Sequence, residues 1–330
     1  MAEIKWAVGV TTVPARRADL LPATLSSLRD GGFPSPHLFV DGAADPADYH
    51  SLTGLAGVTL RHRPNPQPLV RVPGLGTAGN WFASLLELFV ADPWVDRYAL
   101  FQDDVTCTRN LRGYLDASWG AIQAASVNPD TKQPAPFYLN LFTFMDNELL
   151  VPQGAGWHPS VERSKKHLRY QTGRGALGLV FDRAGVVTLL SCRELIERFA
   201  TRDRRTADGV SRIDGGIVHV LNKVGYREMV HIPSPLQHEG RRSTMGDGVY
   251  PQARTFRPGD DAMTWLVGLP AVPLLTPTLV LQAQAEAQSA PTPALNSPVR
   301  SRAPVRDRRL AAEDEARRRV LRDGIGLTET

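Results

Sequence analysis

Two acids stand side by side in RYALFQDDVT (97–106), where Asp103 and Asp104 follow the apolar run Tyr98, Ala99, Leu100 and Phe101. The run has the length and composition of a short buried strand that ends where the chain turns polar. Adjacent carboxylates repel, and each costs free energy to desolvate. A divalent cation relieves both problems, because Mg²⁺ and Mn²⁺ take carboxylate oxygen readily. A solvated turn relieves them equally well, and for the dipeptide alone it is the simpler account, because so short a motif recurs by chance. Elsewhere the chain offers Asp214 in IDGGIVHVLNK (213–223), His238 in PSPLQHEG (233–240), and Arg241, Arg242 and Ser243 directly after it.

The elements that must position these residues alternate over the first 125 positions. IKWAVGVTT (4–12), HLFVDG (37–42), VTLRHRP (58–64) and residues 98–101 are strand-like. Between them, 18–32 carries Leu20, Leu21, Leu25 and Leu28 at helical spacing and stops at Gly31 and Gly32. GNWFASLLELFVADP (79–93) is an amphipathic helix ended by Pro93, and a third helix is expected from Asn110 to Ala125. Such alternation predicts an α/β fold, with a Rossmann-like, mixed, mainly parallel sheet flanked by helices. Ligands sit beyond the carboxyl ends of the strands in such sheets. Thr11, Thr12, Asp41, Asp103 and Asp104 all fall at those ends.

Further along, 137–144 is expected as a strand, 145–174 as a long loop, 175–199 as a strand running into a helix, 213–226 as a helix and 227–243 as a strand followed by a polar loop. His158, Lys165, Lys166 and His167 lie in the long loop, where phosphate or acceptor contact competes with plain solvation. Asp208 is an alternative acid to Asp214. His219, His231 and the aromatic residues of 79–93 read as structural.

Composition bounds the rest. The chain has 330 residues, 42% of them hydrophobic, with 38 basic and 34 acidic side chains. That suffices for one large core, and the small positive excess does not by itself call for nucleic acid. Two cysteines, Cys107 and Cys192, make neither a disulfide framework nor a zinc spacing. The opening residues lack a signal peptide's pattern and no apolar run nears membrane-spanning length, so a soluble, cytoplasmic protein is expected. Residues 1–268 read as the folded domain. Pro, Ala, Gln and Ser dominate 269–305, which reads as a disordered linker, and 306–330 reads as a charged helix or tail. Glu313, Asp314 and Glu315 break the tail's Arg run and no aromatic residue interleaves it, which weakens a nucleic-acid or protein-binding role for it.

Four stretches together resemble nucleotide-sugar glycosyltransferases of the GT-A fold, near family 2 and the N-acetylglucosaminyltransferase IV-like enzymes. They are VGVTTVPARRADLLPATLSSL (8–28), LFVDG (38–42), GTAGNWFASLLELFV with YALFQDDV (76–90 and 98–105), and IDGGIVHVLNKVGYREMVHIPSPLQHEGRRS (213–243). The resemblance implies a metal-dependent transfer from a nucleotide-sugar, a UDP-sugar above all, to a hydroxyl acceptor. It places Thr11, Thr12, Arg16, Asp41, Asn80 and Asp103 around the nucleotide, and Asp104 and His238 on Mn²⁺ or Mg²⁺. Arg241, Arg242 and Ser243 would close over the diphosphate. Asp214 would be the general base of an inverting reaction, although an ordinary helix cap accounts for an acid there as well. The family's first motif acid is replaced by Gln102, which removes one negative charge from the metal's surroundings. Gly175 and Ala176 would be small so that a sugar ring can pass the backbone. Acceptor and sugar are not specified by these residues, and a nucleic-acid acceptor is compatible with them. A nucleotidyltransferase would want a Gly-rich, Lys-bearing loop near the N-terminus, which TTVPARR does not supply.

Overall fold

The computed structural model describes residues 3–42, 45–61, 76–128, 131–150, 156–163, 168–170, 175–193, 195, 213–240 and 252–267. They build an eight-stranded mixed sheet with helices on both faces. In chain order its strands are β1 (Trp6–Thr12), β2 (His37–Asp41), β3 (Gly57–Arg61), β4 (Arg97–Gln102), β6 (Phe137–Asn140), β7 (Gly156–Pro159), β10 (Gly178–Asp182) and β11 (Arg227–Ile232). The spatial order is β3-β2-β1-β4-β10-β6-β11-β7. Four neighbouring pairs are parallel, and β10 and β7 run against their neighbours.

Alternation along each strand divides the core in two. In β4, Ala99 and Phe101 join one apolar cluster, whereas Tyr98 and Leu100 join the other. Successive strand side chains point to opposite faces. A strand covered on both faces therefore reads as an unbroken apolar run, which is why YALF looks as it does. Helices α1 (Leu20–Asp30) and α3 (Leu111–Ala125) cover the first face. The second is covered by α2 (Gly76–Ala91), α5 (Arg183–Leu190) and α6 (Ile213–Lys223).

The expected strands and helices of the first 125 residues are present, with ends shifted by a few positions. Helix α1 starts on an Asp19 cap, whose carboxylate accepts from Leu20 N–H, and stops at Gly31, as the apolar spacing predicts. The later stretch departs from expectation. Residues 145–174 are not one long loop. They contain α4 (Met145–Leu150), the edge strand β7, and a hairpin of β8 (Val161–Arg163) with β9 (Leu168–Tyr170). These elements are too short to show a period, and tertiary pairing makes them. The strand expected over 137–144 ends at Asn140, whose side-chain oxygen accepts from Phe142 N–H. Beyond β11 the polar loop holds a further three-residue strand, β12 (Leu236–His238), paired antiparallel with β5 (Val105–Cys107). Residues 62–75, 201–212 and 268–330 lie outside the described residues, and with them Asp208, the linker and the charged tail. Among the described residues no helix is long and apolar enough to cross a membrane.

Candidate functional site

Because β1, β2 and β4 are parallel and adjacent, their carboxyl ends share one edge of the sheet. The register sets Thr11 opposite Gln102 on one side and Thr12 opposite Val40 on the other. Thr11, Thr12, Asp41, Asp103 and Asp104 are therefore gathered at that edge, and all five are buried. A solvated turn would expose the acid pair. Asp103 and Asp104 are instead 8% and 5% exposed, which rules out that reading.

Asp103 and Asp104 form a tight turn from β4 into β5. The Thr12 hydroxyl donates to Asp103 Oδ2. Burial pushes the Asp103 carboxyl up to about 6, the Thr12 hydrogen bond opposes this, the Asp104 charge adds to it and Arg16 offsets part. Such a site favours an added positive charge. Tyr49, on the 3-10 turn Pro46–Tyr49, lies close enough to Asp103 for that charge to push its hydroxyl upward, although burial is the larger cause.

Asp104 faces His238 across the β5–β12 ribbon, with Asp104 Oδ2 3.1 Å from His238 Nε2. Glu239 N–H donates to the Asp104 backbone carbonyl at 2.8 Å, which locks the register. Phe142 packs edge-on against the imidazole. Arg16, in the 3-10 turn Pro14–Arg16 after β1, brings Nη2 to 3.8 Å from Asp104 Oδ2. Asp104 Oδ1 is buried without a hydrogen-bond partner among the described residues. A Cβ on Gly240 would lie 3.0 Å from both Asp104 Oδ2 and His238 Nε2, so the chain keeps the space beside that pair clear. One carboxylate and one imidazole, with an unbonded buried oxygen and a glycine where a side chain would press on them, fit a divalent cation. Among the described residues no third His, Cys, Asp or Glu joins them. A cation held here would draw its other ligands from substrate oxygens or water.

No protein-family model and no curated protein matches the chain.

Other expected site residues fall as follows. Asn80 is buried, but its amide is engaged by the protein: Oδ1 accepts from Arg61 Nε at 2.5 Å and Nδ2 donates to Phe39 O at 3.3 Å. Arg61 also reaches Glu87 at 2.6 Å and Ser84 at 3.3 Å, so this group ties α2 to β2 and β3. Asp214 is in the first turn of α6. Only three residues separate α6 from the parallel strand β11, so the helix runs back against the sheet and opens at the carboxyl edge. Arg241, Arg242 and Ser243 lie outside the described residues. Gly175, at φ +77°, and Ala176 lie beside β4, where Gln102 Nε2 donates to Ala176 O at 3.1 Å and Gln102 N to Leu177 O at 2.9 Å. His231 is structural, held by Tyr114 at 2.8 Å and Pro233 O at 2.7 Å and stacked on Trp265.

Motif spacing passed over Thr24, Ser27, Tyr49 and Gly240. A trace of Thr24 exists. In α1 the buried face reads Leu21, Thr24, Leu25, Leu28, and a hydroxyl inside an apolar stripe must find a polar partner.

Proposed function

We propose that this chain is a metal-dependent glycosyltransferase of GT-A type that moves a sugar from a nucleoside diphosphate, a UDP-sugar above all, to a hydroxyl acceptor. The observation that carries the reading is Asp104 buried against His238 and Arg16 at the carboxyl edge of the parallel strands. That edge is where open α/β sheets bind ligands, and a diphosphate leaving group needs positive charge there. The fit of a carboxylate and an imidazole favours Mn²⁺ over Mg²⁺.

When bound, the cation supplies positive charge that stabilises the departing diphosphate. The chain does the rest. Asp104 and His238 would hold the cation, and Arg16 would add a second positive group beside them. Thr11, Thr12, Asp41 and Asp103 form the floor on which the nucleoside rests. Asp214, at a helix N-terminus where the backbone N–H groups favour an ionised carboxylate, takes the proton of the acceptor hydroxyl. The acceptor oxygen then bonds to the anomeric carbon as the carbon–oxygen bond to the diphosphate breaks, which inverts the centre. Asn80 supports the floor from behind. The alternative reading, binding of nucleic acid or protein through residues 300–322, concerns residues outside those described.

The test is thermal unfolding of wild type and Asp104→Ala with MnCl₂, with UDP and with both. Wild type should be stabilised by UDP only when Mn²⁺ is present, by about 2.7 kcal/mol at a hundredfold excess over Kd. Asp104→Ala should lose that gain. No stabilisation of wild type by any nucleoside diphosphate with Mn²⁺ would sink the reading.

A further inference from the structure

The acid turn is held by a feature that the proposed chemistry does not use. Strand β5 is three residues long, too short to be stable alone, and both of its edges are occupied. One edge pairs with β12: Asp104 O accepts from Glu239 N–H at 2.8 Å, Thr106 is in register with Gln237, and Thr108 N–H donates to Pro235 O at 3.0 Å. Among the described residues the other edge meets no strand. There the backbone of Val105 and Cys107 is met by two hydroxyls of α1. Thr24 Oγ1 lies 2.9 Å from Asp103 O and 3.0 Å from Val105 O, and it accepts from Val105 N–H at 3.2 Å. Ser27 Oγ accepts from Cys107 N–H and donates to Cys107 O at 3.3 Å.

Thr24 and Ser27 are three positions apart on the helix, hence on one face. Residues 105 and 107 are two apart on the strand, hence on one edge. Three helix residues rise about 4.5 Å and two strand residues about 6.6 Å, a difference of about 2 Å that the two side chains span, so that each hydroxyl meets one strand position. Thr24 is 1% exposed, and water cannot replace it.

We propose that Thr24 and Ser27 form a side-chain ladder that substitutes for a missing strand, and that Thr24 is the positioning residue setting Asp104 opposite His238. The inference rests on the cation reading of that pair. Thr24 touches neither cation nor substrate. It acts through the peptides on either side of Asp104, because its hydroxyl bonds Asp103 O on one side and Val105 N–H on the other. The isosteric Thr24→Val removes every one of these bonds without opening a cavity, whereas Thr24→Ser keeps the hydroxyl.

The experiment compares wild type, Thr24→Val, Thr24→Ser and Ile122→Val, the last a core truncation in α3 that lowers stability away from the turn. Affinity for MnCl₂ in the presence of UDP is measured by titration, and amide hydrogen exchange of Val105 and Glu239 is followed in the ligand-free proteins. Thr24→Val should weaken Mn²⁺–UDP binding by about tenfold or more and speed exchange at both amides by a similar factor. Thr24→Ser should stay near wild type on both, and Ile122→Val should leave both unchanged. A Thr24→Val protein that binds as tightly as Ile122→Val overturns the proposal. If wild type itself does not bind Mn²⁺ with UDP, the glycosyltransferase reading fails and the exchange arm alone decides the ladder: faster exchange at Val105 and Glu239 upholds it, and unchanged exchange overturns it.

Discussion

Asp104 and His238 are 134 residues apart in sequence, and their side chains meet at 3.1 Å inside the protein. Neither is held by its own element alone. β5 and β12 are three residues each, and they exist because they pair with one another. The site is therefore only as firm as that ribbon and the α1 hydroxyls behind β5, and under the proposed function substitutions at its flank should be felt as lost cation binding.

Gly240→Ala tests the flank. Its new Cβ would press on Asp104 Oδ2 and His238 Nε2 at 3.0 Å, in the space a cation needs. Fold stability should fall by about 1 kcal/mol from overpacking. Mn²⁺–UDP affinity should drop by about tenfold or more. Titration calorimetry beside urea denaturation separates the two effects, and an unchanged affinity would overturn the proposed placing of a cation beside Gly240.

Gln102→Glu tests why this position is not acidic. The amide donates to Ala176 O at 3.1 Å. An ionised carboxylate has no proton to donate and would turn an attraction into a repulsion while adding a third charge beside Asp103 and Asp104. Stability should fall by about 1–3 kcal/mol, and the loss should shrink at acid pH as Glu protonates and donates again. A variant as stable as wild type at pH 8 would show that the Gln102–Ala176 bond contributes nothing.

Asn80→Ala separates support from contact. It strips Arg61 Nε and Phe39 O of a partner. A loss of about 1–3 kcal/mol is expected from the unpaired buried groups. UDP binding per folded molecule should change far less than in Asp104→Ala. The reverse pattern, full stability with UDP binding gone, would return Asn80 to direct nucleotide contact.

His231 governs acid sensitivity. Burial lowers its imidazole from 6.5 to about 3, with only partial relief from the Pro233 carbonyl. The unfolded chain takes up a proton near pH 6.5 that the folded protein refuses until near pH 3. Stability from this group is thus complete above pH 6.5 and is lost as pH falls through that window, by up to about 1.4 kcal/mol per pH unit. Urea denaturation of wild type and His231→Gln from pH 7.5 to 4.5 should show the gap between them narrowing toward acid. Parallel curves would mean that His231 does not titrate in the unfolded chain alone.

Much of the fold was legible because local periods are strong where elements are long. The apolar runs of β1, β2 and β4 and the leucine spacing of α1 are properties of short windows, and so is the placing of Thr11, Thr12, Asp41, Asp103 and Asp104 at strand ends. Tertiary structure decided the rest, since it turns on partners far apart in the chain. That β10 lies antiparallel between β4 and β6, that 145–174 carries α4 and three short strands, and that β12 exists at all follow from pairing rather than propensity. The same holds at the site. Sequence placed two acids at the end of a strand, for which a solvated turn was the simpler account of the pair alone and a charge-binding site the one the resemblance implied. Burial excludes only the solvated turn, and it was not legible because it depends on what α1, β12 and the turn at Arg16 bring over the acids, and no window of sequence contains all three.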